Sequence, residues 1–285
     1  MRIAYNEATC RERSSLEMDL MLCRENGITE IELRFDMISR YLEQNGYEAL
    51  KSLIVSSGVK PITLNAIFDI NFLNEAQRRS IEQQLRHACD IGRLLNVDCV
   101  IVLPTACENV EQYTWEEIHR DSVANLIWMA EIGKESGMRI AFEPIGASER
   151  CVRSIKEAWE IVRDVNRGDV GLALDAYNLY LYQALNDVND LLLVDPQKIF
   201  VVHIDDADPG TSVRLLGTFD RVLPGDGSID LESFLSTLMR IGYEGACSIE
   251  VLNKEYWKRD PRDLFVEALD KTKRIMNKVE RNELQ

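Results

Sequence analysis

The sequence lacks long apolar runs. None of its segments approaches the roughly 18 consecutive apolar residues that a membrane-spanning helix needs. The opening stretch, MRIAYNEATC, contains no apolar signal-peptide core either. We therefore expect a soluble, cytoplasmic protein with no membrane partner. The hydrophobic content of 46% is nevertheless ample for a large core in a chain of 285 residues.

Paired cysteines are also missing. The seven cysteines are odd in number and scattered, and none lies in a CxxC motif. This pattern is typical neither of a disulfide framework nor of a zinc–thiolate site. We expect them to be small buried residues of a protein in a reducing compartment.

Positive charge is scarce, with 33 basic against 48 acidic residues and a net charge of −15. A field of this sign repels phosphate backbones and anionic lipids, so nucleic acid is not an expected partner. A neutral small molecule is compatible with it, and so is a pocket that binds a cation. The composition leaves the oligomeric state open, a homo-oligomer included.

What the sequence does contain is a regular alternation of short β-rich runs and amphipathic helical patterns. Eight strands in about 250 residues are typical of a (β/α)8 TIM barrel, and we expect one such domain over residues 1–285. A doubly wound open sheet is the alternative, but the segment after the first strand, YNEATCRERSS, has no GxGxxG turn. The predicted strands are Arg2–Asn6, Glu30–Phe35, Pro61–Ile67, Cys99–Pro104, Arg139–Ile145, Val170–Ala176, Ile199–Asp205 and Ala246–Leu252.

Potential metal ligands stand at the ends of the last four predicted strands. Active sites of such barrels lie at the C-terminal ends of the strands. Crowded carboxylates repel one another, and a divalent cation relieves that repulsion. Three oxygen ligands and one nitrogen ligand suit Mn²⁺, Mg²⁺, Co²⁺ or Zn²⁺. The residues are Glu143, Asp175, His203 and Glu250.

Each of these residues also has a simpler interpretation. A histidine in an apolar strand is more often a satisfied core residue, and an acid at a strand end is often a helix cap or a solvated loop residue. Their common position on four consecutive strands is what favours a metal site. The other histidines, His87 and His119, lie in helical patterns and are assigned to helix surfaces or packing.

Several blocks of the sequence resemble the xylose isomerase-like barrel superfamily of sugar isomerases, epimerases and endonuclease IV-like enzymes. Within it the chain is most similar to the 2-keto-myo-inositol isomerase (inosose isomerase) family of bacterial inositol catabolism. The resemblance covers nearly the whole chain. The blocks are NEAT (Asn6–Thr9), IELR (Ile31–Arg34), LNA (Leu64–Ala66), FEPIG, GLALD, HIDD, DRVLPGDGSIDL (Asp220–Leu231) and SIE (Ser248–Glu250).

The resemblance implies a metal site on the same four residues, with none missing. It also implies that two of them, Glu143 and Glu250, form the acid–base pair. The expected reaction moves a carbonyl to the adjacent carbon through an enediol, with one divalent ion (Mn²⁺, Co²⁺, Zn²⁺ or Mg²⁺) as cofactor and a keto-polyol or keto-sugar as substrate.

Three further residues are implied as substrate contacts. Arg221 precedes the PGDG loop, and Glu149 follows Glu143 at the spacing seen in ketose epimerases. Asn178 stands where related enzymes usually have a histidine three residues after the strand-six aspartate. An amide can hydrogen-bond a hydroxyl but cannot carry a proton at neutral pH. Asn178 has a second interpretation, as the cap of the following helix.

Other activities of the same scaffold stay open at this point. A ketose 3-epimerase would use the same metal and carboxylate pair. A 3-dehydroshikimate dehydratase would need a basic pocket for the substrate carboxylate, and only Arg34 and Arg221 lie near strand ends. An endonuclease IV-like enzyme would need more than three histidines and a basic face. A non-catalytic sugar-binding protein would have no need to retain all four ligand types.

Overall fold

The computed structural model describes residues 1–107, 110–182 and 187–283. Across these residues, eight parallel strands close into a barrel, which confirms the predicted fold class. Strands that follow one another in the chain are neighbours in the barrel, and the last pairs with the first. Two very short strands, β8 (Asp206–Ala207) and β9 (Arg221–Val222), pair antiparallel outside it. The barrel strands are β1 (Arg2–Asn6), β2 (Glu30–Arg34), β3 (Lys60–Ile67), β4 (Cys99–Val102), β5 (Arg139–Phe142), β6 (Val170–Asp175), β7 (Ile199–Ile204) and β10 (Ala246–Ile249).

Helices connect the strands and surround the barrel. Several begin with reciprocal capping, for example α5, where the Thr114 side chain accepts from Glu117 N and the Glu117 side chain accepts from Thr114 N. No helix within the described ranges is long and apolar enough to cross a membrane. The helices are α1 (Leu16–Glu25), α2 (Phe35–Leu42), α3 (Tyr47–Ser57), α4 (Glu75–Leu95), α5 (Trp115–Gly133), α6 (Ile155–Val165), α7 (Ala176–Leu181), α8 (Leu231–Arg240) and α9 (Pro261–Glu283).

The alternation of side chains along the strands divides the core into two parts. On β4, Val100 and Val102 belong to the large apolar cluster between strands and helices. Cys99 and Ile101 belong to a second, smaller cluster inside the barrel. That interior cluster draws on β4 to β7 and the loops after them, and the other side of the interior carries polar residues. The polar side is where the site is built.

Most predicted strands end one to three residues too late. The fifth ends at Phe142 rather than Ile145, and the eighth ends at Ile249 rather than Leu252. In both places the next residue is a glutamate whose side chain enters the barrel mouth, and the backbone leaves the sheet there. An apolar pattern that continues into a loop does not reveal this point, because Ile145 and Val251 are buried as well.

Candidate metal centre and active site

The four predicted ligands converge at the C-terminal mouth of the barrel. One ligand atom from each of them lies within 4.8 Å of all the others. All four side chains are buried, with Asp175 and His203 completely inaccessible. Three carboxylates and an imidazole this close together, and this far from solvent, are the arrangement that a cation stabilises.

Local hydrogen bonds orient the three carboxylate ligands. Asp175 is the last residue of β6 and the N-cap of α7, and its Oδ1 accepts from Asn178 N at 2.6 Å. Its other oxygen, Oδ2, is thereby directed into the mouth. Glu143 and Glu250 each directly follow a strand, and their backbone N–H groups donate to Val102 O and Ile204 O of the neighbouring strands.

His203 lies between the carboxylates. Its Nδ1 is 3.2 Å from Glu250 Oε2 and 3.6 Å from Asp175 Oδ2, yet it has no hydrogen-bond partner with suitable geometry among the described residues. Burial alone would lower the pKa of His203, but the carboxylates, Glu250 foremost and then Glu32, raise it well above its ordinary value. The imidazole thus lies in a strongly negative environment that a bound cation would stabilise.

Arg221 is buried at the same place. Its Nη1 donates to Asp205 Oδ2 at 2.7 Å, to Asp175 Oδ2 at 2.8 Å and to Glu250 Oε2 at 3.2 Å. Burial opposes ionisation of Asp175, but Arg221 and His203 outweigh it and lower the pKa of Asp175. Burial and the charge of Asp175 raise the pKa of Asp205 well above its usual range. The arginine is therefore held by the site's own carboxylates.

Asn178 lies against the ligands rather than capping a helix. Its Nδ2 donates to Glu143 Oε1 at 2.9 Å, and the residue is buried. The alternative interpretation of Asn178 as a cap was wrong, because Asp175 is the N-cap of α7 and Asn178 lies inside the helix. The backbone also approaches Gly146 so closely that a Cβ atom there would lie 2.1 Å from Asn178 O.

Glu149 is exposed, in the loop that follows β5. It lines a cavity of about 540 Å³, and Asn178 and Arg153 line the same cavity. Arg153 donates to Gly146 O from Nε and Nη2. Asn178 thus connects the metal-ligand cluster to a space large enough for a small polyol.

Sequence reasoning missed a set of interior polar residues on β1, β2 and β3. Asn6 and Asn65 each donate an amide N–H to Glu250 Oε1, at 3.0 and 3.1 Å. Glu32 lies 3.2 Å from His203 Nε2, through Oε1. All three residues lie in blocks that carry the family resemblance (NEAT, IELR and LNA), but none of them was assigned a role. An acid flanked by the buried Ile31 and Leu33 was the available signal, since alternation turns Glu32 to the opposite face.

A second missed residue, Asp206, holds the loop that carries Arg221. Its two carboxylate oxygens accept from four backbone N–H groups at 2.8 to 3.0 Å. The β8–β9 pairing sets Ala207 opposite Arg221. The donors are the N–H groups of Ala207, Gly225, Gly227 and Ile229.

The residues present fit a divalent metal. His203 Nδ1 is buried without a hydrogen-bond partner among the described residues, and three carboxylates surround it. One imidazole and three carboxylates are a donor set for first-row divalent ions and Mg²⁺. The other two histidines are not part of this cluster: His87 is exposed on α4, and His119 on α5 lies 3.2 Å from Asp164.

Comparison with known proteins agrees with this geometry. The family model described as xylose isomerase-like TIM barrel matches residues 20–275. The chain is 34% identical to inosose isomerase of Halalkalibacterium halodurans, over 98% of this chain and 97% of that protein. It is 32% identical to inosose isomerase of Bacillus subtilis, over 98% of this chain and 99% of that protein. A crystal structure of the IOLI protein with a bound zinc atom superposes with a TM-score of 0.93, at 32% identity and with 98% and 99% of the two chains covered.

Proposed function

Since this chain belongs to the xylose isomerase-like TIM barrel family, we propose that it is a metal-dependent isomerase of inosose (2-keto-myo-inositol) in inositol catabolism. The observation that carries the proposal is the buried convergence of Glu143, Asp175, His203 and Glu250 at the barrel mouth. Similarity over nearly the full length of two proteins named inosose isomerase supports the choice of substrate.

We propose that these four residues hold one divalent ion. When bound there, the ion supplies Lewis-acid polarisation of the substrate carbonyl and electrostatic stabilisation of the developing enediolate. The zinc atom in the similar IOLI structure supports Zn²⁺, and the oxygen-rich ligand set is equally suited to Mn²⁺, Co²⁺ or Mg²⁺.

The two glutamates are proposed to move the protons. Each has one oxygen fixed by amide donors: Asn178 holds Glu143 Oε1, and Asn6 and Asn65 hold Glu250 Oε1. One carboxylate removes the proton from the hydroxyl-bearing carbon, and the other returns a proton to the former carbonyl carbon. Burial raises the pKa of Glu250, and the neighbouring His203 and Arg221 oppose that rise.

Substrate recognition is proposed to involve three residues around the cluster. Arg221 Nε is buried and has no hydrogen-bond partner among the described residues, and we propose that it donates to a substrate oxygen. The Asn178 amide can hydrogen-bond a hydroxyl but cannot shuttle a proton. Glu149 lies in the wall of the adjoining cavity and would accept from hydroxyls at the far end of the polyol.

The geometry favours isomerisation over dehydration of an acidic substrate. Arg221 is already paired with three carboxylates, and Arg34 is paired with Asp36 at 3.0 Å. Neither arginine therefore offers an uncompensated charge to a substrate carboxylate. A ketose 3-epimerase, which returns the proton to the same carbon, would use the same residues. The product of the reaction distinguishes an epimerase from an isomerase.

The setting of the reaction is also a proposal. The described cysteines are all free thiols, which suits the reducing cytoplasm. The net charge of −15 is compatible with a small neutral substrate and opposes nucleic-acid binding. We propose that residues 1–285 act as one barrel domain, alone or within a homo-oligomer.

The decisive experiment is proton NMR of 2-keto-myo-inositol with the protein in D₂O. The metal-free protein is prepared with EDTA and then supplied with Zn²⁺ or Mn²⁺. We expect metal-dependent conversion to a second inosose. Substrate left unchanged by protein that has bound metal would contradict the assignment, and a product epimeric at one carbon would favour the epimerase.

Variants test the acid–base pair in the same assay. Glu143→Gln and Glu250→Gln are each expected to lower kcat by about 10² to 10⁴-fold, because a positioned acid or base contributes that much. Glu48→Gln on the exposed face of α3 is the matched control and is expected to keep the rate of the unmodified protein. Either site variant retaining a near-normal rate would refute the proton-transfer roles.

A further inference from the structure

Glu32 lies on the far side of His203 from the proposed metal. It occupies the middle of β2, points into the barrel and is completely buried. Both of its oxygens approach the same ring nitrogen: Oε1 is 3.2 Å and Oε2 is 3.3 Å from His203 Nε2. No other described side chain is recorded within bonding distance of that nitrogen.

The Glu32 carboxylate is itself held in place. Thr63 Oγ1 donates to Oε2 at 2.5 Å, and Asn6 Nδ2 donates to Oε1 at 3.2 Å. Each oxygen thus has its own donor, from β3 on one side and β1 on the other. Rotation of the carboxylate would break both bonds in a region without water access, so its orientation towards His203 is fixed.

The two ring nitrogens of His203 consequently have different surroundings. Nε2 faces a carboxylate that can only accept a hydrogen bond. Nδ1 faces Glu143, Asp175 and Glu250 at 3.2 to 3.7 Å and has no hydrogen-bond partner in the described part of the chain. A neutral imidazole with its proton on Nε2 leaves its lone pair on Nδ1, directed at the ligand cluster.

We propose that Glu32 is a positioning residue that fixes His203 as the Nε2–H tautomer and so presents Nδ1 to the metal. The inference rests on the proposed metal centre and adds to it a residue that contacts neither metal nor substrate. Such outer carboxylates orient the ring and increase the basicity of the ligating nitrogen, and their removal typically costs about 10 to 100-fold in metal affinity.

The test is a Zn²⁺ titration of EDTA-treated protein by competition with a chromogenic chelator. Glu32→Ala is expected to weaken zinc binding about 10 to 100-fold, and Glu32→Gln by less, because an amide oxygen still accepts the N–H but carries no charge. Glu30→Gln is the matched control, because Glu30 lies on the same strand and pairs with Arg2 rather than with the site. It is expected to bind zinc as the unmodified protein does.

A second measurement separates positioning from a merely structural effect. With only three histidines, the side-chain ¹⁵N–¹H spectrum of zinc-loaded protein is simple, and His87→Asn and His119→Asn assign it. We expect one slowly exchanging Nε2–H resonance from His203, shifted downfield by the carboxylate. In Glu32→Ala and Glu32→Gln it should move upfield and exchange faster with water.

The outcomes are distinguishable. If the unmodified protein fails to bind zinc, the metal centre itself is wrong. If it binds zinc but the Glu32 variants match it in affinity and in the Nε2–H resonance, the inference about Glu32 is wrong and the metal centre stands. Should both Glu32 variants fail to fold, Thr63→Val removes one donor to Glu32. We then expect weaker zinc binding and faster Nε2–H exchange, and unchanged values would overturn the inference.

Discussion

Asp206 allows a quantitative test of how the loop that carries Arg221 is held. The residue is buried, and each of its oxygens accepts two backbone N–H groups, from Ala207 and Ile229 on Oδ1 and from Gly225 and Gly227 on Oδ2. In Asp206→Asn an NH₂ group replaces one of these oxygens. Whichever oxygen is replaced, two backbone N–H donors, most of them in partly buried hydrogen bonds, then face another donor.

The expected cost follows from that count. Leaving a buried donor without a partner costs about 1–3 kcal/mol, and two donors in partly buried hydrogen bonds lie at the lower end of that range, at about 2 kcal/mol together. Burial raises the pKa of Asp206 despite its four donors, which means that the carboxylate is not fully compensated and that its neutralisation recovers part of the cost. We therefore expect a loss of about 1–2 kcal/mol in the free energy of unfolding.

Guanidinium chloride unfolding measures the loss, and amide hydrogen exchange localises it. Exchange of the Gly225, Gly227 and Ile229 amides should accelerate before that of the barrel strands. Asp208→Asn is the control in the same segment, because Asp208 is only partly buried and receives its hydrogen bonds from the nearby Gly210 and Thr211. If Asp206→Asn stayed within about 0.5 kcal/mol of the unmodified protein with normal amide protection, the reasoning would be refuted.

Three further predictions concern a buried acid, a counter-cation and a close contact. Burial raises the pKa of Asp19, which lies near the buried Glu7, to about 7, whereas an aspartate of the unfolded chain loses its proton near pH ~4. The free energy of unfolding should therefore fall as the pH rises from ~4 to about 7. Unfolding curves at pH 5 and pH 8 should show a smaller fall for Asp19→Asn than for the unmodified protein. Arg221→Met removes the cation that pairs with Asp175, Asp205 and Glu250. Calorimetry should therefore find a lower Tm for the metal-free variant, and a larger increase in Tm on addition of Zn²⁺, than for the unmodified protein. Equal increases in Tm would contradict this. Gly146→Ala forces Asn178 away, and we expect about 1–3 kcal/mol less stability and slower turnover, whereas an unchanged Tm would show that the contact relaxes freely.

Strand number, strand order and the register of the ligands were readable from the residues. The period-two and period-3.6 patterns are local properties of the chain, and eight alternations leave few ways to cover every apolar face. Because parallel barrel strands present their C-terminal ends at one mouth, an acid or histidine at the end of four consecutive strands had to converge there. Glu143, Asp175, His203 and Glu250 do so within 4.8 Å.

The partners of those ligands depended on closure of the barrel. Glu32 is 171 residues from His203 in the chain, and Asn6 is 244 residues from Glu250, yet each pair is in hydrogen-bonding range. No local pattern encodes such a contact. The pairing of β1 with β10 closes the barrel and brings the N-terminal strands against the C-terminal ligands. The N-cap of α7 also depended on the tertiary structure. Asp175 and Asn178 are both good capping residues. Only the direction of the backbone after β6 decided that Asp175 caps the helix and that the Asn178 amide contacts Glu143.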